Sequence, residues 1–469
     1  MRKKCKTHNP TKSNRRQNVN IENGVDVKAF IDQRGLTSIQ WLLLVLCFLV
    51  VAVDGMDVAI MGFLAPSIIG EWHASRAAFG AVMSAAPIGL VIGALVAGPS
   101  SDRFGRKAVL ITSVFLFGVF TIATSFTSNL SEMALMRLLT GLGLGAAMPN
   151  STTLLSEYVP QRSRSVLIAV MFTGFNLGSG TVGFLAAWLI PQYGWRSVLL
   201  VGGGLPLLLV PVLLALLPES ARFMVIRRYA AARIGAVLGR ICRTTFAAGT
   251  EFFSTEPTVQ SKTPIGVLFS QGYGVMTVAL WVTYFMGLMV IYLLTGWLPT
   301  LIKDAGLPIS TAANITAMFQ IGGTVGAILV GFAMDRTVPT RVISSAYVLG
   351  AACIIGLGLG GALSPSLTLL VAAAGFFMSG AQTGLNAFAP SCYPTMARAT
   401  GVSWMLGMGR FGSITGSMLG GLLLAMGWGF TTIIPLLAIP ATLAALAVLK
   451  ARRASDVSLR ADAQNLAHT

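Results

Sequence analysis

Long apolar runs recur along this 469-residue chain, and they constrain its fold more than any other feature. They cover roughly residues 41 to 67, 77 to 98, 108 to 127, 131 to 156, 166 to 190, 197 to 217, 275 to 301, 311 to 334, 342 to 363, 366 to 391, 401 to 426 and 429 to 449. Crossing the hydrocarbon core of a bilayer takes about 20 predominantly apolar residues in a helix, so each run is a candidate span. With 54% hydrophobic and only 10% charged residues, the chain lacks the polar surface that a soluble protein of this length needs. The expected fold is an all-α polytopic membrane protein with twelve transmembrane helices.

The net charge of +17 would suit a nucleic-acid partner if it formed one face of a folded domain, but the cations lie between apolar runs. Their distribution has another reading. Arg103, Arg106 and Lys107 follow span 2, Arg162 and Arg164 follow span 4, Arg336 and Arg341 follow span 8, and Arg398 follows span 10. The alternate connections hold Arg76, Arg196 and Lys303, so the positive-inside bias predicts both termini and every even-to-odd loop in the cytoplasm. Residues 1–38 read as a basic, disordered cytoplasmic arm and 450–469 as a cytoplasmic tail. The six-helix bundles are expected over 39–217 and 275–449. Between them, 218–274 is a basic linker in which Ala221 to Leu238 is predicted to form an amphipathic helix on the inner leaflet. The five cysteines are scattered without metal or disulfide spacing, and no metal site or cofactor is expected.

Spacing reveals an internal repeat. Gly98 and Asp102-Arg103 after span 2 recur as Gly331 and Asp335-Arg336 after span 8, an offset of 335 − 102, or 233 positions. Tyr158, Pro160 and Arg164 before span 5 answer to Tyr393, Pro394 and Arg398 before span 11, and Gly178-Ser179 answers to Gly412-Ser413. Two pseudo-repeated bundles with a site between them near the midplane are a common plan for secondary transporters.

Asp54-Gly55-Met56-Asp57 places two carboxylates inside the first apolar run. An ionised side chain at the centre of a membrane helix costs about 2.5 to 3.5 kcal/mol on insertion scales, so such groups are functional candidates. At i and i+3 they share one helical face, and Gly55 lets another backbone approach closely.

The decapeptide Gly98-Pro99-Ser100-Ser101-Asp102-Arg103-Phe104-Gly105-Arg106-Lys107 resembles the loop 2-3 signature of the major facilitator superfamily. Within it, Asp54-Gly55-Met56-Asp57, the stretch from Arg137 to Asn150, and Gly384-Leu385-Asn386 through Tyr393-Pro394 to Arg398-Ala399-Thr400-Gly401 resemble the aromatic acid:proton symporters. The resemblance implies uptake of benzoate- or hydroxybenzoate-like carboxylates across a bacterial inner membrane, coupled to protons, by alternating access in a monomer. Pro218-Glu219-Ser220-Ala221-Arg222-Phe223 is also similar to sugar porters and organic-ion transporters and chooses no substrate. Alternatives from other classes stay open: another organic anion or a sugar as cargo, an efflux antiporter, or a membrane chemoreceptor for aromatic acids.

The ionisable candidates inside the spans are Asp54, Asp57, Arg137 and Arg410. The three histidines lie outside them, which leaves Asp54 and Asp57 as the acids for proton coupling. Arg137 is expected either to pair with a span 1 aspartate or to touch substrate. No acid in the spans of its own half neutralises Arg410, so a substrate carboxylate gripped by its fork is the expected partner. The amides of Asn386, Gln382, Asn176 and Gln320 are candidates for ring hydroxyls, and Trp404 for stacking on the ring. Asp102, Arg103, Arg106, Asp335 and Arg336 are assigned to a gate: orientation needs only Lys and Arg, so the repeated aspartates ask for another role. An acid at the next helix's N-terminus, exchanged between open and closed states, would supply one.

Overall fold

The computed structural model describes residues 24 to 451 except 248, 254 to 267, 270 to 272 and 394, with side chains from 395 to 399 left aside. Two short elements precede the first long helix: strand β1 (Val25–Asp26) and helix α1 (Val27–Asp32). The first bundle is α2 (Ser38–Trp72), α3 (Arg76–Phe104), α4 (Arg106–Thr124), α5 (Leu130–Tyr158), α6 (Gln161–Tyr193) and α7 (Trp195–Leu216). The connection carries α8 (Ala221–Ile226), α9 (Ala231–Cys242) and strand β2 (Phe252–Phe253). The second bundle is α10 (Tyr273–Asp304), α11 (Ile309–Arg336), α12 (Pro339–Gly360), α13 (Leu367–Phe388), α14 (Thr395–Ala425) and α15 (Phe430–Leu436), which continues past a turn at Leu437 to Ala451.

Each predicted span is found as a helix, usually extended beyond the apolar run. At 35 residues and 1.5 Å per residue, α2 is about 50 Å long and projects from a hydrocarbon core of about 30 Å. Ten of the helices are apolar enough to cross a membrane by composition. The two long helices below that level are α5 and α14, which carry Arg137 and Arg410. Both are packed between other helices, where a polar group can find partners.

Glycine lets the helices close on one another. A Cβ on Gly178 of α6 would strike the Ala52 carbonyl of α2, and one on Gly412 of α14 would strike the Phe285 carbonyl of α10. Ala52 and Phe285 are themselves 285 − 52, or 233, positions apart, so the repeat read from loop motifs is also a repeat of helix seams. Gly55 meets the Phe175 carbonyl along the same α2–α6 seam.

The bundles meet through α3 with α14, α6 with α11, and α2 with α10. These contacts concentrate at the end opposite the linker. There Arg76 pairs with Asp304 at 2.7 Å, the Lys303 ammonium donates to the Pro66 carbonyl at 2.8 Å, and Phe79 lies edge-on to Trp297. At the linker end the pseudo-equivalent Gly98 and Gly331 face open space, and Asp102, Arg103, Asp335 and Arg336 are exposed. Among the described residues, no hydrogen bond or ion pair joins these two loops.

The linker corrects two expectations. Ala221 to Leu238 is not one helix on a leaflet: Arg228 adopts φ 53° and splits it into α8 and α9. The apolar side of α9, Ile234, Leu238 and Ile241, is buried against the protein instead, together with Val25, Val27, Phe30 and Ile31 of the N-terminal arm. The end of that arm is therefore folded: β1 pairs in parallel with β2, and Phe30 and Phe252 both pack on Phe246. These few large apolar residues, set among polar ones, find each other only when the linker returns beneath the first bundle. The rest of the arm and the tail expected over 450–469 lie, apart from Lys450 and Ala451, outside the described residues.

Candidate functional site

Asp54 and Asp57 stand at the middle of α2, each only 2% exposed, but their surroundings differ. Both oxygens of Asp57 accept from Nη1 of Arg137 at 3.2 Å, and the Thr121 hydroxyl donates to the same carboxylate. The remaining N–H groups of Arg137 reach Thr124, Thr121 and Thr140 at 3.0 to 3.2 Å. Its guanidinium, fully buried, is thus satisfied by α2, α4 and α5 and has no donor left for a substrate. Of the two roles expected for Arg137, the structure places it in the pairing one, with Asp57 rather than Asp54. The threonines were overlooked in the sequence, although Thr140 lies one turn after Arg137 and Thr121 and Thr124 share a face of α4.

Asp54, one turn earlier, has an oxygen with no hydrogen-bond partner among the described residues. Across the bundle interface its electrostatic neighbour is Arg410 of α14. Arg410 forms no ion pair among the described residues. Its neighbours are phenols of α10, Tyr284 and Tyr292. Gly409 explains the closeness, because a Cβ there would collide with the Tyr284 ring. Behind Tyr284 stand the amides of Gln382 and Asn386 on α13. The Tyr347 hydroxyl donates to Gln382 Oε1 at 2.7 Å, while Gln382 Nε2 is buried with no hydrogen-bond partner among the described residues. Asn386 is exposed, near the linker end of α13.

A cavity enclosing about 760 Å³ with its mouth opens between the bundles. Asp57, Phe175, Asn176 and Ser179 line one side, and Tyr292, Thr295, Gln320 and Ser417 the other. Mostly apolar walls with a few polar groups are typical of small-molecule sites. Tyr292 belongs both to this wall and to the surroundings of Arg410, which joins the cation to the cavity. Gln320 donates to Thr295 at 3.3 Å, and Ser179 donates to the Gly55 carbonyl at 2.7 Å.

Trp404 is placed elsewhere: it stacks on Trp281 with ring centroids 5.8 Å apart, is 40% exposed and does not line the cavity. Indole at the outer face of a helix gains more from a flat neighbouring ring than from a distant pocket.

The gate residues divide. Asp102 pairs with Arg106 at 2.9 Å in the last turn of α3, and Arg106 also approaches Glu157 at 3.9 Å. The acid seated at the N-terminus of the next helix is Glu219, which accepts from the backbone N–H groups of Arg106 at 2.9 Å and Lys107 at 3.2 Å. That role, expected of Asp102, falls to an acid 117 positions along the chain because α3 ends in Gly105 with φ 96° and turns its own aspartate away. The Glu-Ser pair after span 6 was the available signal. On the second bundle, Arg336 lies over Phe332 at 4.1 Å.

A family model described as Major Facilitator Superfamily matches residues 47–374 and 280–466. The chain is 59% identical to a gallate transporter of Pseudomonas putida over 92% of this chain and 95% of that one. It is 50% identical to the 4-hydroxybenzoate transporter PcaK of Pseudomonas aeruginosa over 91% and 95%, and 31% identical to the benzoate transport protein of Acinetobacter baylyi over 86% and 87%. Among solved structures, a D-xylose-proton symporter aligns with TM-score 0.67 at 18% identity over 86% of this chain and 96% of that one. The xylose transporter XylE of Escherichia coli in an inward open conformation aligns equally well, at 17% identity over 88% and 96%. At such identities the solved structures speak for the fold, and the relatives for the family. Twelve long helices in two repeated bundles, with an intramembrane cation beside a cavity between them, are a transporter's parts and not an enzyme's: this chain belongs to the major facilitator superfamily and is similar there to transporters of aromatic acids.

Proposed function

We propose that the protein imports hydroxylated benzoates by proton symport with alternating access. The observation that carries the reading is Arg410: a cation at the midplane, without an ion pair among the described residues, next to an aromatic and amide-lined cavity. A guanidinium there matches a carboxylate, and the phenol and amide groups around it match a ring bearing hydroxyls. Gallate and 4-hydroxybenzoate, named for relatives at 59% and 50% identity, carry both features.

Asp54 is the proton site in this reading. Its unpartnered oxygen and its position across from Arg410 allow proton and substrate to compete for the same electrostatic field, which couples their movements. Asp57 instead holds the cation of α5 in place. A proton carried with a monovalent anion cancels the electrical opposition of about 2.3 kcal/mol per 100 mV. The positive-inside bias puts the linker end in the cytoplasm of a bacterial inner membrane, so the end closed by Arg76 and Asp304 faces outward and the open end inward.

Uptake of labelled 4-hydroxybenzoate into cells or proteoliposomes, with gallate, benzoate, phenylpropionate and xylose as competitors, tests the reading. Gallate and 4-hydroxybenzoate should compete, xylose should not, and collapse of the pH gradient should stop accumulation. Accumulation that survives the loss of the proton gradient would sink the symport reading, and exclusive competition by xylose would sink the substrate class.

A further inference from the structure

A second hollow lies away from the midplane, at the linker-side surface of the first bundle. It encloses about 670 Å³, open to the outside, between the end of α7, the start of α4 and helix α9. Apolar residues from four helices line it, among them Ile39, Leu216, Met224 and Val237, together with three cations: Lys107, Arg233 and Arg240. Lys107 lies within electrostatic reach of Glu219 and also of Arg240, so like charges are gathered there around one acid. The acid among the described lining residues, Glu219, is turned onto backbone N–H groups of Arg106, Lys107 and Ser220 at 2.8 to 3.2 Å. Among the described residues, none of the three cations forms an ion pair. Lys107 donates to the Leu214 carbonyl at 2.9 Å, and Arg233 lies over the Tyr229 ring at 5.0 Å.

The surroundings say what kind of anion fits. Leu205, Leu208 and Val212 form an exposed apolar stripe on α7 that leads at helical spacing to Ala215 in the hollow's wall, a surface suited to acyl chains. A ligand with a phosphate at one end and hydrocarbon at the other would satisfy cations and stripe together. Cations clustered at this depth gain about 1 kcal/mol each from anionic lipid, and basic pockets of this kind receive phospholipid head groups. We propose that this hollow binds the headgroup of an anionic phospholipid, whose acyl chains run along α7. The lipid phosphate bridges Arg233 and Arg240 of the linker to Lys107 of α4 and so docks α9 against the first bundle.

The test uses the full-length chain, delipidated in detergent and titrated with dioleoyl phosphatidylglycerol, dioleoyl phosphatidylcholine or inorganic phosphate, with bound lipid counted by native mass spectrometry. The wild type should retain phosphatidylglycerol in preference to phosphatidylcholine. Replacing both Arg233→Gln and Arg240→Gln should weaken phosphatidylglycerol about thirtyfold, or about 2 kcal/mol at 1.4 kcal/mol per decade, and leave phosphatidylcholine unchanged. Arg233→Lys with Arg240→Lys should keep most of the affinity, since charge rather than fork geometry is at stake. Both side chains are exposed, but should the double glutamine variant melt early, Arg240→Gln alone should still weaken phosphatidylglycerol about fivefold. Equal retention of the two lipids by the wild type, or unchanged phosphatidylglycerol binding in the glutamine variants, overturns the proposal. Displacement of the lipid by millimolar inorganic phosphate would mark a site for a soluble anion and overturn it equally.

Discussion

Asp57 and Arg137 meet at 3.2 Å with essentially no exposure, tying α2 to α5 in the middle of the first bundle, while Asp54 one turn away keeps an oxygen with no partner among the described residues. Two carboxylates that look interchangeable in the sequence are thereby given different work.

Their neutral variants should fail in different ways. Asp57→Asn leaves Arg137 buried without its counter-charge, a loss on the order of 3 to 5 kcal/mol, and should lower the melting temperature in detergent by many degrees. Asp54→Asn should melt like the wild type and lose accumulation driven by a pH gradient. Fluorescence melting paired with vesicle uptake separates the two; gradient-driven uptake by a well-folded Asp54→Asn protein would move the proton site elsewhere.

Arg410 should discriminate acid from ester. Arg410→Ala removes one member of a desolvated charge pair, at about 2 to 5 kcal/mol, so affinity for 4-hydroxybenzoate should drop thirtyfold or more. Arg410→Lys keeps the charge without the fork and should retain part of the affinity. Methyl 4-hydroxybenzoate should bind the wild type poorly and be nearly indifferent to either change. Calorimetry on purified protein reads all three, and equal losses for acid and ester would make Arg410 structural.

At the linker end, open space around Gly98 and Gly331 should be needed for the other half of the cycle. Gly98→Leu and Gly331→Leu fit the structure as it stands, so substrate binding should survive while transport falls at least tenfold, as expected when closure is blocked. Asp102→Asn and Asp335→Asn should likewise slow transport more than they weaken binding. Parallel measurement of binding and uptake decides the point; equal losses would place these residues in the site or in folding.

Burial of Cys242 between α9 and the N-terminal segment pushes its thiol up to about 11. At pH 8 only about one thiol in a thousand is then thiolate, so Cys242 should resist iodoacetamide in the folded protein and react fully in denaturant. The protonated thiol suits the folded state, so any stability it confers is full below the ordinary thiol value of 9.0 and is lost as pH rises from there through about 11. Mass-spectrometric mapping of alkylation reads this directly, and rapid labelling would mean that α9 undocks.

The sequence by itself determined the twelve spans, the two-fold repeat and the family resemblance, because each rests on local properties: run length, the spacing of short motifs and the rarity of charge inside apolar runs. It also isolated Asp54, Asp57, Arg137 and Arg410, since charge inside hydrocarbon is costly wherever the helix packs. Only the tertiary structure decided the partners. Whether Arg137 pairs with Asp54 or Asp57 depends on the rotation of α2 against α5, and the threonines that complete its shell come from helices whose faces the sequence leaves undefined. That Glu219 rather than Asp102 caps α4, that Trp404 stacks on Trp281 away from the cavity, and that α9 buries its apolar side against Phe30 and Ile31 rather than in lipid are contacts between segments far apart in the chain. Pairings of that kind are set by helix packing in three dimensions, which no periodicity along a single segment encodes.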